Sequence, residues 1–187
     1  DESNSWAIIE GACALARMGE KADQSLVLKK LNQVDYAKLS ENQKLAAIRS
    51  YQLAFTRLGK PTDADTQAVI KKLDAFYPSK INFENRELVQ VLLYLDAANI
   101  IPRAVREMVS ATEEQKKLLS DEILQRNDRY AAAAKRTEQF RPNTQQMALA
   151  FSLRSIKNAW TDADYATYFS WFPKAKTWQG GNSFSIF

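Results

Sequence analysis

Histidine is absent from all 187 residues. That removes Ser-His and Cys-His nucleophilic dyads, histidine-ligated zinc and histidine-ligated haem from this chain. Cysteine occurs once, so no intramolecular disulfide can form. Cys13 falls on an apolar helical stripe with Trp6, Ile9 and Ala16, where a thiol acts as a small hydrophobe. Five glycines and five prolines are too few for a sheet-rich fold, which needs a turn every ~10 residues. No apolar run approaches the ~20 residues of a membrane-spanning helix. With 45% hydrophobic and 26% charged residues, the chain suits a folded domain with a substantial core. Tyr130 followed by four alanines favours helix, and almost no strand is expected.

Repetition is what the chain does have. Ala-Leu-Ala-Arg-Met-Gly at 14–19 and Leu-Lys-Lys-Leu at 28–31 recur as Ala-Phe-Thr-Arg-Leu-Gly at 54–59 and Ile-Lys-Lys-Leu at 70–73. The offsets, 40 and 42 residues, match the period of stacked helical pairs of the HEAT or armadillo kind. One such pair cannot bury its apolar face alone, so the expectation is an all-α solenoid of about four pairs, forming a single domain over 1–187.

Periodicity and caps place the pairs. Trp6, Ile9, Cys13 and Ala16 form the first stripe and Val27, Leu31 and Val34 the second, with Gly19 where a helix would end at positive φ. Ser40 with Gln43 makes a capping box ahead of Leu45, Ile48, Tyr51, Phe55 and Leu58. Thr62 with Asp65 makes a similar start ahead of Val69, Leu73 and Phe76. A weaker third copy runs through Leu88, Leu92 and Leu95 to Val105 and Met108, with Asp96 in place of the glycine. From Thr112 and Gln115 to about residue 139 nothing breaks a helix, giving an inserted rod of roughly 40 Å with a charged, solvated face. The fourth pair holds Met147, Phe151, Leu153 and Ile156, then Tyr168, Phe169 and Phe172 after a start at Thr161 and Asp164. Asp162 and Asp164 are two apart at a helix start, where carboxylates diverge and act as caps rather than as a catalytic pair.

Charge and aromatics are skewed toward the C-terminus. From Arg129 onward eight Lys or Arg face three acids, leaving the first 128 residues at 18 minus 19, or −1. The final 28 residues hold nine of the 20 aromatics. Trp160, Trp171 and Trp178, interleaved with Arg154, Lys157, Lys174 and Lys176, could stack on bases and contact phosphate. Aromatics at helical spacing more commonly pack a core or another domain.

The run Leu-Arg-Ser-Ile-Lys-Asn-Ala-Trp-Thr at 153–161, with Tyr-Phe-Ser-Trp-Phe at 168–172 and Trp-Gln-Gly-Gly-Asn-Ser-Phe at 178–184, resembles the closing segment of a HEAT-like helical domain. That domain belongs to large exported bacterial proteins that also carry a dehydrogenase-like β-propeller and a c-type cytochrome domain. The resemblance implies a helical spacer or docking role and a periplasmic or otherwise exported location. The haem-attachment Cys-x-x-Cys-His is missing, so the family's redox chemistry does not carry over. A start at Asp1 without methionine, and an apolar end at Phe184, Ile186 and Phe187, are expected of a piece of a larger protein.

The sequence therefore leads to a non-enzymatic structural or protein-interaction module with no cofactor, metal or small-molecule substrate. Its partner is expected to be a protein, in the form of neighbouring domains of the same polypeptide. Candidate contacts are the repeated Lys29, Lys30, Lys71 and Lys72 and the C-terminal Trp178, Phe184 and Phe187. The runner-up is a nucleic-acid binder resembling the DNA alkylation repeat glycosylases, with Trp160 or Trp178 as a stacking face.

Overall fold

The computed structural model describes residues 4–112 and 140–178. Among them lie eight α-helices and no strand. They are α1 (Ser5–Met18), α2 (Gln24–Gln33), α3 (Glu41–Leu58), α4 (Asp63–Leu73), α5 (Asn82–Tyr94), α6 (Ile100–Ser110), α7 (Thr144–Leu153) and α8 (Asp162–Ala175). Beyond its first residue, Thr112, the expected rod to about 139 lies outside the described residues, as does the tail carrying Phe184, Ile186 and Phe187. The chain forms two compact units, Asp1–Arg103 and Ala104–Phe187.

In the first unit the helices stack in repeat-like rows. One row runs α1, α3, α5 and the other α2, α4, with α2 also packed on α1 and α3. The caps lie where the sequence puts them. Ser40 Oγ accepts from the Gln43 amide, and Gln43 Oε1 accepts from the Ser40 amide at 3.0 Å. Thr62 Oγ1 accepts from the Asp65 amide at 3.1 Å. Each satisfies an amide that the first turn of a helix leaves without a partner. Leu31, Leu58, Leu73 and Leu95 are all buried, as stripe positions between neighbouring helices should be.

The three helix ends that share a sequence position are built differently. Gly59 has φ 98°, and at Asp96 the chain keeps a left-handed turn at φ 54°, tolerated by a short polar side chain. Gly19 departs from expectation. Its φ is −81°, so no left-handed turn is made there. Glycine is needed for space instead, because a Cβ would lie 2.6 Å from the Leu15 carbonyl oxygen.

Polar side chains lock the rows together. The Gln24 carboxamide, 5% exposed, donates to the carbonyls of Ala54 and Gly59 and so closes the end of α3 from α2. Tyr51 donates to Asn32 Oδ1 at 2.7 Å. Glu84 is 2% exposed and both its oxygens are occupied. Tyr36 donates to Oε1 and Ser79 to Oε2, each at 2.8 Å, while Lys44 Nζ lies 3.7 Å from Oε1. Burial first, and the Glu84 carboxylate second, push the Tyr36 hydroxyl far above the usual tyrosine range. The cluster ties the chain before α3, the loop before α5 and the first turns of both helices.

In the second unit a buried glutamine organises the packing. Gln146, on α7, donates from Nε2 to the Ala111 carbonyl at 2.8 Å and accepts from Trp171 Nε1 at 2.8 Å. Asn143 caps α7 and donates to the same carbonyl. Tyr168 donates to the Ala150 carbonyl at 3.0 Å, pinning α8 to α7. The core face of α7 is therefore Gln145, Gln146, Leu149, Ala150 and Leu153. Phe151, read as core from its spacing, points outward and is 61% exposed. Its ring lies under the Arg154 guanidinium, 3.2 Å from the centroid.

Candidate functional site: the outer face of α8

Helix α8 begins at Thr161, whose Oγ1 accepts from the Asp164 amide at 3.2 Å while Asp164 Oδ2 accepts from the Thr161 amide at 3.2 Å. Asp164 is thus a capping residue, as its spacing predicts. The helix that follows, Asp-Ala-Asp-Tyr-Ala-Thr-Tyr-Phe-Ser-Trp-Phe-Pro-Lys-Ala, carries two adjacent apolar strips. Tyr168 and Trp171 form the buried one, with the capping Asp164 buried at its start. One residue further round, Tyr165, Phe169 and Phe172 form a second, exposed by 40%, 61% and 45%.

The second strip is a preformed surface. Tyr165 stacks on Trp160 with ring centroids 4.7 Å apart, and Tyr165 to Phe169 and Phe169 to Phe172 follow at 6.2 and 6.1 Å in near-parallel array. Behind them Tyr168 meets Phe169 and Phe172 edge-on at 5.4 Å. Rings held by neighbouring rings lose little freedom when something covers them, which favours binding at such a face. Exposed cations stand at both ends in sequence: Arg154 and Lys157 before α8, Lys174 and Lys176 at its close.

The residues singled out from sequence fare unequally. Trp178 is half-buried and packs edge-to-face on Trp171 at 5.6 Å. Trp160 donates from Nε1 to the Ile156 carbonyl at 2.9 Å and stacks on Tyr165, so both tryptophans are engaged within the molecule. Lys29, Lys30 and Lys71 are exposed. Lys72 differs from its repeat mate Lys30: its ammonium donates to the carbonyls of Asn32 and Val34 at the end of α2. Burial draws its pKa below the usual lysine value, with Asp35 opposing. Trp6, expected in the core, is 39% exposed, and Ala12 takes the inward position. Phe184 and Phe187 lie outside the described residues. The second strip of α8 is written in its Tyr165, Phe169, Phe172 spacing, but spacing alone does not say which of two strips faces in.

Fold and site together define an all-α fold with repeat-like helix stacking and, among the described residues, an outward aromatic face on α8. No protein-family model, curated protein or solved structure matches the chain. Among the described residues no acidic or thiol cluster could hold a metal ion, and no helix is long and apolar enough to cross a membrane.

Proposed function

We infer that the chain is a non-catalytic interaction module of HEAT- or armadillo-like kind that docks a protein partner on the outer face of α8. The observation that carries this is the exposed Tyr165, Phe169 and Phe172 strip, since aromatic anchors of this type dominate the centres of protein interfaces. The occupant we favour is a neighbouring domain of the same polypeptide, with the helical unit as a spacer beside redox-type domains in an exported protein. The resemblance at 153–184 supports that setting.

Hydrogen exchange over residues 162–175 tests it, comparing this chain alone with the same chain joined to its native flanking sequence. The backbone amides of α8 should gain protection when the flanks are present. Unchanged exchange would remove the docking role. A nucleic-acid reading draws on Arg154, Lys157, Lys174 and Lys176, which flank the same rings in sequence. It requires binding of single-stranded DNA that falls steeply with salt, through counterion release. The expected outcome is no such binding, because the net charge of +4 is mild for a phosphate-binding surface.

A further inference from the structure

We propose that α1 is a self-association surface, on which a second copy of this chain lays its own α1 antiparallel. The proposal is independent of the α8 reading. Helix α1 buries Ile9, Ala12 and Ala16, the side from which the Ile9 carbonyl meets Ser50 of α3. At ~100° per residue the opposite side presents Ala7, Gly11, Ala14 and Met18, all exposed, Met18 by 87%. A Cβ built on Gly11 would meet nothing within 4 Å. On one flank this stripe opens into a shallow groove with Ile8, Leu15 and, from α2, Leu26 and Lys30; Leu26 is 49% exposed.

Within the row α1, α3, α5, helix α3 has a row neighbour on both sides, whereas α1 is covered on its α3 side and open along Ala7, Gly11, Ala14 and Met18. The small residues let a partner backbone approach closely, and Met18 adapts to fill the remaining gap.

Charge selects a second copy as the occupant. Glu10 and Arg17 are the two charged residues of α1, and both fall on the flank of the stripe away from α2. An antiparallel pair that sets Ala7 against Met18 and Gly11 against Ala14 of the second copy is symmetric. A two-fold axis perpendicular to the helices keeps like flanks together. Glu10 then lies ~3 Å along the axis from Arg17 of the second copy, and the contact is made twice. The stripe, the spacing and the opposite charges are thus complementary to themselves.

Sedimentation equilibrium on this chain tests it. A concentration-dependent dimer is expected, lost in Ala14→Arg with the helical circular dichroism and Tm retained. Glu10→Arg should weaken the dimer about tenfold, and Glu10→Arg with Arg17→Glu should restore it, because the reversed charges again meet opposites. Phe169→Glu should leave it intact. A monomer at all concentrations, a dimer indifferent to Ala14→Arg, failure of the double reversal to restore, or dissolution by Phe169→Glu would each overturn the proposal. So would a monomer whose α1 becomes protected only beside its native flanks, since the occupant would then be another segment.

Discussion

Helices α3 and α8 carry the same pattern to opposite ends. Both begin at a capping box, and both space large apolar residues four and then three apart: Tyr51, Phe55 and Leu58 in α3, Tyr165, Phe169 and Phe172 in α8. In α3 that strip is at most 6% exposed; in α8 it is 40% or more exposed throughout. Helix α3 is wrapped by α1, α2 and α5, whereas among the described residues the buried strip of α8 is the adjacent one, with Tyr168 and Trp171. Apolar spacing reports that a face avoids water, not that the cover belongs to the same molecule.

The sharpest way to break the comparison is from the wrapped side. Glu84→Ala should destabilise the first unit by about 3 to 5 kcal/mol, because Tyr36, Ser79 and the Lys44 ammonium lose a buried acceptor together. Urea unfolding reads this directly, and a loss below ~1 kcal/mol would mean the cluster is solvated rather than structural. Leu58→Ala, which empties a wrapped position of α3, should cost about 2 to 5 kcal/mol in the same measurement. An unchanged midpoint would invert the assignment of faces in α3.

The repeated lysines allow a smaller, internal version of the test. Lys72→Met should cost about 1 to 2 kcal/mol by leaving the Asn32 and Val34 carbonyls short of a donor at the end of α2. Its repeat mate Lys30→Met should stay within ~0.5 kcal/mol, as exposed substitutions do. Equal effects at the two positions would show that the lysine doublets are interchangeable, as their sequence copies imply.

Local chemistry was the legible part. The caps at Ser40, Thr62 and Thr161 use side-chain groups within three residues of the amides they satisfy, and such contacts are written contiguously. The leucines at 31, 58, 73 and 95 were equally legible, because a residue flanked by helices on both sides has one fate. The fates of Trp6, Phe151 and Phe169 were not. Each lies on a helix whose two apolar sides compete, and the winner depends on helices far away in sequence. Gln146 shows the converse: a polar residue is buried because Trp171 and the Ala111 carbonyl meet it from distant segments. Lys72 is another such case, distinguished from Lys30 by the end of α2 lying within its reach.

The smallest expected effect bears most directly on function. Phe169 is the most exposed ring of the α8 strip, 61% accessible, so Phe169→Ala removes little buried area. Stability should change by no more than ~0.5 kcal/mol. Alanine also has the higher helix propensity, which offsets part of the lost contact with Tyr168 and Phe172. Calorimetry of the isolated chain should therefore find its Tm nearly unchanged, in contrast with Leu58→Ala. Contact with a docked domain should suffer instead, since an aromatic at the centre of an interface commonly carries ~2 kcal/mol or more of its binding energy. A Phe169→Ala variant as unstable as Leu58→Ala would mean that the α8 strip is already packed within this molecule, and the contrast between the two helices would be lost.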